Sequence, residues 1–164
     1  MTHITQSTAY SRTDGYMKKE KKGRYHVLFA LYLALLIYFL FFAESFREST
    51  PDYYRYNLIP FQEIMRYLRY HHSIGIGRVC LNLLGNIIGF APFGFFLPRI
   101  STRKLNFGAV TLFSMEFSIT VEVIQLITRV GCCDVDDVIL NTLGGMLGYL
   151  CYWIWRKYKH ESEK

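Results

Sequence analysis

Tyr25 to Ala43 reads YHVLFALYLALLIYFLFFA, about 19 residues with no polar face to interrupt them. A spanning helix needs roughly 17–25 apolar residues, so this run can cross a bilayer. Inside lipid a lone segment must satisfy its own backbone polar groups, and only a helix does that. Three later stretches obey the same constraint. Val79 to Pro98 (VCLNLLGNIIGFAPFGFFLP) is a second span, Phe107 to about Ile127 a third, and about Asp137 to Trp155 a fourth. The chain is 51% hydrophobic and 17% aromatic over 164 residues, which fits one domain with much of its surface in lipid. The expected fold is all-α: a polytopic membrane protein of about four transmembrane helices.

The connection between the first two spans has its own pattern. Pro51-Asp52 breaks structure, and Asn57-Leu58-Ile59-Pro60-Phe61 leads into QEIMRYLRYHH. Phe61, Ile64, Met65 and Leu68 fall on one helical face, with Arg66, Arg69 and Tyr70 off it. That spacing predicts a short amphipathic helix between the first and second spans. It either lies in the membrane interface or caps the bundle as an ordinary surface helix. The domain plan is therefore a disordered cytoplasmic tail over 1–24, a membrane domain over 25–155 and a cytoplasmic C-terminal tail over 156–164.

Charge sets the orientation. KKEKKGR, RISTRKLN and WRKYK stand at alternate ends of the four spans, so all three share one side of the membrane. The excess of Lys and Arg assigns that side to the cytoplasm, with both termini inside the plasma membrane. The 44–78 loop departs from this rule with Arg47, Arg55, Arg66, Arg69 and Arg78.

Polar residues inside the apolar segments carry the functional expectation. Glu122, Gln125 and Arg129 share one face of the third helix. Asp134, Asp137 and Asn141 share one face of the fourth if that helix begins near Asp134. Gly144, Gly145 and Gly148 continue that face as a smooth surface, and the short connection makes the two helices antiparallel. On the second span, Asn82 and Asn86 share a face with Gly89, Gly85 and Gly89 form a small-xxx-small packing pair, and Pro92 is expected to kink the helix or end its regular part. An ionisable group at the centre of a span costs roughly 2.5–3.5 kcal/mol on insertion scales, so such groups mark a site with partners. The candidate polar site is Asn57, Asn86, Glu122, Gln125, Arg129, Asp134, Asp137 and Asn141, gathered at the outer leaflet.

Two chemistries fit these residues. One is an ion-paired latch that locks helices together. The other is a pocket in which Asp134 and Asp137 share a Mg²⁺ with a substrate phosphate, Arg129 clamps the phosphate and Glu122 acts as acid or base. A phospholipid or polyprenyl-phosphate-linked intermediate would suit that pocket. Only this second reading calls for a metal; no other cofactor is implied. Four short helices leave little room for a conducting pore. No Gly-x-Ser-x-Gly, HExxH or Ser/His/Asp set is present. Net charge is +6, but no basic helix interleaved with aromatics points to nucleic acid. The four cysteines lack metal-ligand spacing. Cys132 and Cys133 are adjacent and read as free thiols, with Cys80 the alternative partner for either. Cys151 reads as packing, and His71 and His72 as interfacial polar residues. Glu116 lies on another face from Glu122 with no evident partner.

Three blocks in order resemble the VanZ-like family of small bacterial membrane proteins, named for an accessory teicoplanin-resistance protein. They are NLIPF at Asn57–Phe61, GNIIGFAPFG with Asn86, Phe90, Pro92 and Gly94, and Glu122-x-x-Gln125 followed by Asp134, Asp137, Asn141, Gly144, Gly145 and Gly148. The resemblance covers roughly residues 25–155. It implies a multi-span plasma-membrane protein and a role in lowering susceptibility to teicoplanin-type lipoglycopeptides or in envelope homeostasis. Its implied partners are the bilayer and a lipid-linked envelope precursor or glycopeptide. It supplies no catalytic mechanism.

Overall fold

A computed structural model describes residues 23–41 and 55–162, with side chains described as far as 159. The expected tail over 1–24 lies outside these residues except for Gly23 and Arg24, as does the 42–54 part of the first connection. Six helices are described: α1 (Gly23–Phe41), α2 (Gln62–Arg69), α3 (His71–Ile74), α4 (Ile76–Ile100), α5 (Phe107–Thr128) and α6 (Val135–Ser162). Helices α1, α4, α5 and α6 are long and apolar enough to span a membrane. Helix α6 continues past the expected Trp155 to Ser162. Two strands of two residues each, β1 (Tyr56–Asn57) and β2 (Cys133–Asp134), pair in parallel, which apolar patterning does not reveal.

Helix ends follow local chemistry. Asn106 caps α5, its side chain accepting from the Ala109 N–H at 2.8 Å. At the other end Arg129 is left-handed (φ 56°) and its N–H closes onto the Leu126 carbonyl, followed by Gly131 at φ 91°. This turn reverses the chain, so α5 and α6 run antiparallel. Pro92 does not end α4, which continues through both Pro92 and Pro98.

The bundle is organised around α6, which packs along α4 and, on another side, along α5, while α4 and α5 meet far less. Small residues make this possible. A Cβ added at Gly94 would collide with the Gly145 carbonyl, one at Gly148 with the Ala91 carbonyl, and one at Gly144 with the Ile87 carbonyl. The expected Gly85–Gly89 pair carries no such contact. Open space surrounds Gly85, and Gly89 would meet only Leu36 Cδ1 at 3.5 Å. Helix α4 turns a different stripe, Ile87, Ala91 and Gly94, towards α6.

Helix α1 packs on the outside of this core. Tyr32 donates its hydroxyl to the Gly89 carbonyl at 2.7 Å, Phe29 lies against Phe93, and Gln125 Nε2 donates to the Leu40 carbonyl at 3.1 Å. At the end bearing the 101–106 loop, the Arg99 guanidinium sits 3.6 Å from the Trp155 ring centroid, 4.5 Å from Tyr25 and 4.7 Å from Phe95. One arginine thus joins α1, α4 and α6 through aromatic faces.

Candidate functional site

The polar residues gather at the opposite end of the bundle, where β1, α2 and the β2–α6 junction close over the spans. Parallel pairing sets Asn57 beside Asp134. Asn57 Nδ2 donates to Asp134 Oδ1 at 3.0 Å, and Asn57 Oδ1 accepts from the Ile59 N–H at 3.1 Å. Asp134 lies in β2, one residue before α6, so it does not share a helical face with Asp137 and Asn141. Its Oδ1 also accepts from the Asp136 N–H at 2.9 Å, an Asx-type start for the helix. From α5, Glu122 Oε2 accepts from the Asp134 N–H at 2.9 Å.

Asp136 accepts from three backbone N–H groups and is only 1% exposed. Its Oδ1 accepts from the Phe61 N–H, and its Oδ2 from the N–H groups of Glu63 (2.8 Å) and Ile64 (3.1 Å). These are donors that the first turn of α2 cannot satisfy internally. Asp136 therefore caps α2 from seventy-odd residues away in sequence, where an N-cap side chain normally comes from the helix itself. Residue Phe61, at the N-cap position, is left-handed (φ 66°) and offers no capping group. With its start held by the bundle, α2 leaves Phe61, Met65 and Leu68 more than half exposed. Tyr67 faces inward, its hydroxyl accepting from Asn82 Nδ2.

Deeper in, Asn86 Nδ2 of α4 donates to Asp137 Oδ1 of α6 at 2.5 Å. Asn141 Nδ2 donates to Ser118 Oγ of α5 at 2.9 Å. Glu122 and Gln125 are each 4% exposed and Asn141 1%. The site thus joins Asn57, Asn86, Glu122, Asp134, Asp137 and Asn141, with Gln125 turned to α1. Arg129 ends up exposed at the turn after α5 rather than on the helical face shared by Glu122 and Gln125. Glu116 is exposed on the outside of α5, away from the cluster.

Electrostatics at the cap follow burial. Asp134 is pushed above the usual carboxylate range, chiefly by burial and also by the Asp136 charge, with the Asp136 N–H and Asn57 pulling the other way. Glu63 is also raised by burial, against the opposing pull of Arg66, which it pairs at 2.5 Å. Burial, then Glu122 and Asp134, raise the Cys133 thiol, which makes it a poor nucleophile. All four cysteines are unbridged.

Nothing in this geometry favours a shared cation. Both donors to Asp134 Oδ1 are internal, Asp137 is engaged by Asn86, and among the described residues no three His, Cys, Asp or Glu side chains cluster as metal ligands. Sequence reasoning missed Asp136 because it sought helical faces. The Asp134-x-Asp136 spacing, suited to a turn that caps a helix, was the available signal.

The VanZ/LLP1 family matches residues 29–156, which is most of the chain and all of this site. The chain belongs to the VanZ/LLP1 family. It is 32% identical over 139 residues to Protein VanZ of Enterococcus faecium, covering 83% of this chain and 78% of the relative. No solved structure matches it. The capped junction of α2, β2 and the start of α6 falls within the matched stretch, as does most of each of this chain's four long apolar helices. The protein is a multi-pass membrane protein of this family.

Proposed function

We propose that this VanZ/LLP1 protein acts at the outer face of the plasma membrane, lowering susceptibility to teicoplanin-type lipoglycopeptides or maintaining the envelope as a rigid membrane module. Both termini face the cytoplasm in this reading. The basic residues Arg99, Arg103, Lys104, Arg156, Lys157 and Lys159 support it, since they collect at the end away from the polar cluster. The observation that carries the proposal is the Asp136 cap. It ties an amphipathic helix to the bundle at the level where spans end and leaves the apolar Phe61, Met65 and Leu68 free to enter the headgroup region. Acyl-bearing glycopeptides and lipid-linked precursors share that layer. The resistance context comes from the resemblance to the VanZ-like family, by similarity alone.

Expression in a susceptible host tests the proposal. Teicoplanin susceptibility falls with the intact gene and returns to the host level with Asp136→Asn, at equal amounts of membrane-inserted protein. Unchanged susceptibility with the intact gene refutes the resistance role. Cysteine labelling that finds the Asn57 segment on the cytoplasmic side refutes the orientation.

A further inference from the structure

The cluster continues as a polar seam below the capped end. Ser118 on α5 meets Asn141 on α6, and Ser114 meets Gly145. Each contact lies four residues from the other along both antiparallel helices. Stepping four residues the other way brings Glu122 level with Asp137, which is bound by Asn86. The seam has a floor: at Gly145 a Cβ would strike the Ser114 side chain, so the helices touch there. It also has a mouth, since Asn86 and Asp137 are only half-buried.

One atom in this seam lacks a donor. Asn141 is 1% exposed and its Nδ2 is committed to Ser118, but no group donates to its Oδ1 among the described residues. The opposite amide rotamer would only move the problem, leaving Nδ2 without an acceptor. Ser114 cannot help, because its hydroxyl donates to the Val110 carbonyl at 2.8 Å. In a lipid-embedded bundle an unmet buried acceptor is costly, and such a group calls for a specific explanation. A buried water needs two to four polar partners. At this level the chain offers Asn141 Oδ1 and the Ser118 hydroxyl, with the Glu122 and Asp137 carboxylates one step above.

We infer that the α4–α5–α6 seam is a water-binding site open at the α2-capped end, reaching Asn141 about 9 Å along α6 and closed at Ser114–Gly145. Water there donates to Asn141 Oδ1 and connects it to the acidic level above. The inference does not depend on which side of the membrane the cap faces, nor on any resistance role.

Thiol labelling of purified protein in detergent tests it, because a charged methanethiosulfonate reagent needs a hydrated thiolate. In a background with Cys80, Cys132, Cys133 and Cys151 replaced by Ala, single cysteines go in at Ser118 and at lipid-facing Ile119. Ser118→Cys is expected to react severalfold faster than Ile119→Cys, and adding Asn141→Leu should abolish the difference. Equal rates, or a difference that survives Asn141→Leu, overturn the inference. Should Ser118→Cys fail to fold, hydroxyl-radical footprinting of the unsubstituted chain decides. Val121, beside the acidic level, is then modified more than Val110 beyond the floor; equal modification counts against a hydrated seam.

Discussion

Replacing Asp136 by Asn is the sharpest test of how the cap is built. The carboxylate serves three backbone donors, one through Oδ1 and two through Oδ2. Asn keeps one oxygen. Its best placement serves Glu63 and Ile64 and turns Nδ2 against the Phe61 N–H, donor against donor. A hydrogen bond to a charged group contributes roughly 1.5–3 kcal/mol, and a neutral one about 1 kcal/mol. Losing one outright and weakening two gives about 3 kcal/mol, partly offset by rehydration of the start of α2. Asp134→Asn is the matched control. Both donors to Asp134 converge on Oδ1, which an amide oxygen replaces, so that change should cost no more than about 1 kcal/mol. The assay is reversible unfolding in mixed detergent–SDS micelles followed by circular dichroism. Thiol labelling of Ile64→Cys, a half-buried position on α2, in a cysteine-free background reports release of α2. If Asp136→Asn is no more destabilising than Asp134→Asn, or leaves α2 as firmly docked, the distant cap is not what holds α2.

Two further outcomes follow from the geometry. Asp134 and Glu63 are raised in the folded state, so the stability they contribute is full below the ordinary carboxylate range and is lost as pH rises through their raised values. The unfolding temperature in detergent should therefore rise as the pH falls from neutral towards the ordinary carboxylate range, and Asp134→Asn should flatten that slope; an identical slope in the variant would remove Asp134 as its source. Gly94→Ala forces a methyl onto the Gly145 carbonyl and should cost about 1–3 kcal/mol as overpacking. Gly85→Ala, in open space, should be neutral or gain up to about 1 kcal/mol from helix propensity, and equal losses in the two unfolding curves would refute the assigned α4–α6 contact.

The spans were legible in the sequence because a membrane helix hides its backbone in one continuous apolar run, a property of each segment alone. The site was legible as a population: Asn57, Asn86, Glu122, Asp134, Asp137 and Asn141 stood out as polar groups in or beside apolar stretches, where isolation is costly. Their relations were not. Asp134 and Asp137 look like one helical face until the helix is found to begin between them, and Asp136 looks peripheral until α2 is seen to lack a cap of its own. Gly85-xxx-Gly89 and the stripe through Gly94 are equally smooth on paper. Which of them meets α6 depends on how α4 is rotated in the bundle, and that is settled by the mutual fit of several helices. Apolar length and charge thus determined that the chain crosses the membrane and where polar groups would concentrate. Tertiary packing alone decided which acid caps a helix, which glycine touches a carbonyl and which amide is left seeking a donor, because each of these pairs groups far apart in the chain.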